Sequence, residues 1–167
     1  MTPKPKLQPP DSMYVEAAKG WCELHAYSDA EAELEKVSPE SRNHPKFLEA
    51  RWQVCANLER WEASLDLANA LTCVAPEVPE GWIYKGSTLV ELNRLPEAHE
   101  TLSQAAAKFS SDEIILYDLA CVCCAMRRFD ESKSWLGKAI DAGGDTIKLR
   151  ALDDPDLEPL WESLREP

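Results

Sequence analysis

The residues best equipped for chemistry are six cysteines, of which Cys121, Cys123 and Cys124 fall within four consecutive positions. So dense a thiol cluster suggests metal or redox chemistry. Helical geometry argues against it: at about 100° per residue Cys121 and Cys124 share a face, whereas Cys123 is turned about 200° from Cys121, so three thiolates cannot converge. Two ligands are too few for a zinc site, and a C-x-C-C run lacks the paired spacing of zinc motifs. His25, His44 and His99 fall at turns or on outer helix faces, so no histidine is expected beside the cysteines. A bridge between Cys121 and Cys124 is disfavoured too, because residues one helical turn apart hold their Cβ atoms about 5–6 Å apart where a disulfide wants about 3.5–4.5 Å. All six are therefore expected as free thiols, Cys55 and Cys123 as small core residues, with no metal and no cofactor.

Other catalytic constellations are missing. The carboxylates of Asp153, Asp154, Asp156 and Glu158 cluster at a helix start, where they favour the dipole. Gly143 and Gly144 read as a helix C-terminal turn, not a phosphate cradle, and no calcium-loop spacing is present. No enzyme is expected. The net charge of −12 carries no basic stripe, so nucleic acid and anionic membrane surfaces are poor partners, while a basic protein segment would be attracted.

The elements that position these residues repeat every thirty-four residues. Tyr27, Trp61, Leu95 and Phe129 are bulky and stand at one period. Three residues before them come Leu24, Leu58, Leu92 and Met126, and three residues after them Ala30, Ser64, Ala98 and Ser132. A period of this length marks one helical hairpin stacked on copies of itself, since helices of twelve to fourteen residues are marginal alone in water. The organisation expected is an arm over residues 1–10, MTPKPKLQPP, with too little apolar side chain to fold; hairpins over about 11–44, 45–78, 79–112 and 113–146; and a capping segment over 145–167. Asp11 and Ser12 are expected to cap the first helix, and Pro45 and Pro79 to open the second and third hairpins. In the last segment, Asp154 before Pro155 predicts a helix start, with Leu157, Leu160, Trp161 and Leu164 as its apolar stripe. With no signal-peptide core and no bilayer-length apolar run, the chain is expected to be cytoplasmic.

Within the third copy, Trp82, Gly86, Leu89, Ala98, Leu102 and Ala105 stand where the tetratricopeptide repeat (TPR) places its signature residues. Leu116, Ala120, Cys123, Ser132, Leu136 and Ala139 follow in the fourth copy, and over residues 11–144 the chain resembles that family. The resemblance implies an all-α fold, a right-handed α-α superhelix of four hairpins closed by a C-terminal capping helix. Trp52 departs from the pattern, standing where Ala18, Gly86 and Ala120 are small, as does Arg51 at a usually apolar step. A local shift of the second hairpin is therefore expected.

The resemblance also implies a concave groove lined by first helices, which binds a peptide or protein segment. The positions are Lys19, Lys46, Gln53 and Asn57 on a polar half, and Ile83, Tyr84, Ser87, Ile114, Tyr117 and Cys121 on an apolar half. The apolar half is either a partner site or a surface under the capping segment. Two further readings are a chaperone for secreted or assembly-prone substrates and a self-associating structural module. The clamp by which some relatives grip acidic chaperone tails is not expected, because Val15, Ala50, Glu80 and Tyr84 stand at its positions.

Overall fold

The computed structural model describes residues 6–162. The described residues are helical with no strand. They form α1 (Asp11–Glu23), α2 (Tyr27–Glu35), a 3-10 turn (Pro39–Ser41), α3 (Pro45–Asn57), α4 (Trp61–Val74), α5 (Glu80–Glu91), α6 (Leu95–Lys108), α7 (Glu113–Ala125), α8 (Phe129–Gly143), α9 (Asp145–Asp153) and a 3-10 helix (Pro155–Leu160). Two compact units result, residues 1–81 and 82–167.

One backbone device closes every hairpin. His25, Glu59, Asn93 and Arg127 all adopt left-handed φ, between 55° and 60°, and each lies one period from the next. The amide after each bonds the carbonyl five residues back: Ala26 to Trp21, Arg60 to Cys55, Arg94 to Leu89 and Arg128 to Cys123. This is the Schellman arrangement built without glycine, although a side chain in this region costs about 1–2 kcal/mol. The recurring bonds, not the residue type, hold the turn.

In the first unit, α1 packs on α2, α3 on α4, and α3 also on α1 and α2. Val15, Ala18, Ala30, Leu34, Leu48, Val54, Ala68 and Leu71 make the core. Asp11 is the first residue of α1, not its cap. Its carboxylate accepts from the amide of Ser38 at 3.0 Å and from the Ser38 hydroxyl at 2.5 Å, tying the start of α1 to the end of the hairpin. Those bonds lower its pKa, the Ser38 hydroxyl most. Arg51 spends its charge on α2, pairing with Glu31 at 3.2 Å and Glu35 at 3.4 Å. Trp52 is half-buried. The two hairpins differ in hydrogen bonding: Ser132 donates across its hairpin to the Ala120 carbonyl at 2.6 Å, whereas the equivalent Ser64 donates to the carbonyl of Arg60, just before its own helix, at 3.1 Å. Leu7, in the arm, is half-buried and lines a small cleft with His44 and Pro45; residues 1–5 lie outside the described residues.

In the second unit α5 meets α6 at Gly86, where an added Cβ would lie 2.7 Å from the Leu102 Cδ2 atom. Helix α7 packs on both α6 and α8. Gly143 ends α8 and Gly144, at φ +67° and ψ −153°, turns the chain into α9 as only glycine readily can.

The segment after Gly144 differs from the single capping helix expected. Helix α9 comes first, and the stripe that starts at Asp154 winds as a short 3-10 helix: Pro155 at its first position is harmless, but Pro159 inside it lacks the amide that would extend an α-helical ladder. Leu157 and Leu160 are fully buried, the 3-10 helix packs on α7, α8 and α9, and the Trp161 indole donates to the Ala151 carbonyl at 2.9 Å. Leu164 lies outside the described residues.

Candidate functional site

Helices α5, α6 and α7 and the tail enclose a cleft of about 410 Å³ in the second unit. Val90 of α5, Leu102 of α6 and Val122 and Ala125 of α7 line it with apolar side chains, and Ser87 of α5 adds a hydroxyl. The lining is also acidic: Glu91, Asp118, Asp154 and Asp156 accompany Arg150, the one cation among the lining residues.

Tyr117 falls under the second of the two alternatives for the apolar half, a surface beneath the capping segment. It is 1% exposed, so it is core and not a free groove residue. Its hydroxyl donates to Asp154 Oδ2 at 2.5 Å, and the Arg150 guanidinium sits 4.2 Å from its ring centroid. The out-of-register tail thus covers the α7 part of the strip, adding a cation–π contact and a charge-assisted hydrogen bond. Burial, reinforced by the Asp154 bond, raises the Tyr117 pKa far above its ordinary value. Burial also pushes Asp118 up to about 7, with nearby Asp112 and Asp154 acting in the same direction and Arg150 against them. Cys121 lies 4.0 Å from Asp154 Oδ2, and burial raises its pKa as well, which leaves a protonated and unreactive thiol.

Of the ten groove positions named from sequence, Ser87, Tyr117 and Cys121 line this cleft. Ile83 and Tyr84 are half-buried on α5, and Ile114 is 41% exposed at the start of α7. In the first unit the polar positions are engaged with their own neighbours. Lys19 pairs with Glu49 at 3.3 Å, Lys46 with Glu16 at 3.8 Å, and the Asn57 amide donates to the Gln53 carbonyl at 2.8 Å. Asp154 was legible as a helix start, a role it keeps by accepting from the Asp156 amide at 3.0 Å, but nothing in the local sequence assigned it or Arg150 to the cleft.

No protein-family model matches the chain, and neither does any curated protein. Solved structures do. The TPR protein TTC0263 of Thermus thermophilus superposes with a TM-score of 0.74 at 16% identity, covering 93% of this chain and 83% of that one. PilF of Pseudomonas aeruginosa gives 0.75 at 14% identity, over 93% of this chain and 69% of that one. YrrB, described as a TPR protein with an unusual peptide-binding site, gives 0.66 at 12% identity, over 90% and 82%. The chain has the tetratricopeptide-repeat fold.

A second constellation in this TPR fold overturns one reading of the sequence. His99 of α6, Cys123 of α7 and Glu131 of α8 bring an imidazole nitrogen, a thiol and a carboxylate oxygen within 4.8 Å of one another. A histidine does therefore lie beside a cysteine. The 200° turn that separates Cys123 from Cys121 holds, but it aims Cys123 at the neighbouring helices. His99 Nε2 is 3.0 Å from Glu131 Oε1, and this bond, first among several, lowers the Glu131 pKa. Burial, with the Glu131 charge next, pushes the Cys123 thiol up to about 12. All six cysteines are free, and among the described residues no helix is long and apolar enough to cross a membrane.

Proposed function

We propose that this TPR chain is a protein-binding scaffold, not a catalyst, and that it takes a lysine- or arginine-bearing segment of another protein into the cleft of its second unit. The observation that carries the reading is the lining: the apolar side chains of Val90, Leu102, Val122 and Ala125 beside the carboxyl groups of Glu91, Asp118, Asp154 and Asp156, with Arg150, the one cation there, stacked on Tyr117. Apolar area holds a partner while opposite charge selects it and speeds encounter. Likeness to TPR structures supports a protein or peptide as the ligand class, and YrrB's described peptide-binding site supports a short segment. The tail forms part of the cleft wall, so the partner rests on α5 and on Asp154 and Asp156 and not on a bare α7. A cytoplasmic setting fits this reading.

The test is an array of immobilised peptides with apolar centres flanked either by lysine and arginine or by glutamate, probed with the purified chain. Basic-flanked peptides should be retained, acidic ones not. Glu91→Lys, at an exposed position, should abolish retention without altering the circular-dichroism melt. Equal retention of both peptide classes, or binding indifferent to Glu91→Lys, would place the partner elsewhere.

A further inference from the structure

The triad of His99, Cys123 and Glu131 is outside the cleft and takes no part in the proposed docking. Its donors come from three successive helices, α6, α7 and α8, so their convergence is a product of the fold and not of one helix face. We propose that these three side chains form a binding site for a single divalent transition metal ion of the zinc class, coordinated by His99 Nε2, Cys123 Sγ and Glu131 Oε1, with a fourth position for water.

The donor set suits such an ion. Imidazole, thiolate and carboxylate are all zinc ligands, and together they balance its two positive charges, which matters where Cys123 is wholly buried. Bonds of about 2.0–2.3 Å around a tetrahedral centre set neighbouring donors about 3.3–3.8 Å apart. His99 Nε2 and Glu131 Oε1, 3.0 Å apart, fall just short of that span, and no pair of donors is more than 4.8 Å apart. His99 and Glu131 keep side-chain exposures of 21% and 39%, which leaves their torsions room to make up the difference. The carboxylate is already oriented. Arg128 Nη1 lies 3.5 Å from Oε2 and holds that oxygen, presenting Oε1 to the site, as an outer partner of a metal ligand does.

Binding exchanges bonds without a redox step. The Cys123 thiol loses its proton to solvent as the sulfur–metal bond forms; the His99 Nε2–H bond to Glu131 Oε1 is given up, and the imidazole shifts through solvent to the tautomer protonated on Nδ1 so that Nε2 can coordinate. One ion then ties together helices that are otherwise joined here by hydrogen bonds. Because it binds the folded chain and not the unfolded one, the ion stabilises the second unit.

Cobalt(II) is the probe, titrated into the full chain under reducing conditions. One equivalent should saturate a near-ultraviolet thiolate-to-cobalt band together with the visible bands of a tetrahedral ion, and zinc should bleach both. At a hundredfold excess over Kd, zinc should raise the Tm by roughly 5–10 °C. Cys123→Ser should lose the thiolate band. In case that buried substitution unfolds the chain, His99→Gln and Glu131→Gln at the less buried ligands should keep the melt and weaken cobalt binding at least about tenfold. Cys73→Ser, at an exposed thiol, should leave the spectrum unchanged. A wild-type chain without a saturable thiolate band, a band lost in Cys73→Ser, or full affinity in both His99→Gln and Glu131→Gln would each overturn the site.

Discussion

Replacing Asp118 by asparagine isolates what the acidic cleft costs the fold. Burial lifts this carboxyl to about 7, against an ordinary value near 3.8. The folded chain therefore binds its proton more tightly than the unfolded chain does. Below about pH 4 both states are protonated and nothing is lost; as pH rises from about 4 to about 7 the unfolded state ionises first, so stability falls, and above 7 the loss is complete. At about 1.36 kcal/mol per tenfold change in proton affinity, the gap between 3.8 and about 7 sets an upper bound of about 4 kcal/mol. The attraction of Arg150 is already contained in that shift, and the asparagine amide reproduces the neutral carboxyl only in part, so the expected net gain at pH 8 is about 1–3 kcal/mol. For a chain of this size that is a Tm increase of roughly 3–10 °C. Circular-dichroism melts of both proteins at several pH values supply the check, since other titrating groups cancel in the difference. The gap should be small near pH 4 and widen to pH 8. A gap independent of pH, or one that narrows, would refute the claim that Asp118 is held in a charge-averse site. A basic ligand in the cleft should reverse the cost, so its binding should tighten across the same window.

Tyr117→Phe removes only the hydroxyl that donates to Asp154. A bond to a charged acceptor contributes about 1.5–3 kcal/mol, so the Tm should fall by roughly 3–10 °C, and an unchanged melt would mean that the tail is held by Leu157 and Leu160 alone. Gly86→Ala sets two effects against each other: alanine gains up to about 1 kcal/mol of helix propensity, while its Cβ meets Leu102 at 2.7 Å in a buried site and costs about 1–3. Destabilisation should win, read as a lower urea midpoint. A midpoint that rises would show that α5 and α6 can part.

What the sequence disclosed was whatever a fixed helix crossing imposes on side-chain volume. Ala30, Ser64, Ala98 and Ser132 are all wholly buried, and at that step nothing large fits, so the period shows in the letters. The hairpin turns recur just as strictly in the backbone, yet histidine, glutamate, asparagine and arginine share no type. Asparagine and, less strongly, histidine favour the left-handed region, glutamate and arginine do not, and the constraint lies in main-chain bonds that leave the side chains in water.

Tyr117 marks a different limit. An apolar residue facing a groove and one facing a covering segment present the same pattern on their own helix, and what decides between them is the tail. That tail is out of register with the repeat, so its reach back to α7 through Arg150 and Asp154 could not be read from period or from propensity. The triad extends the same point. Whether the cysteines of α7 meet one another is a question about one helix, and its geometry alone turns Cys123 away from Cys121. Where Cys123 turns to depends on how α6 and α8 are rotated against α7. His99 and Glu131 therefore become its neighbours through packing, and a search along a single face has no means of finding them.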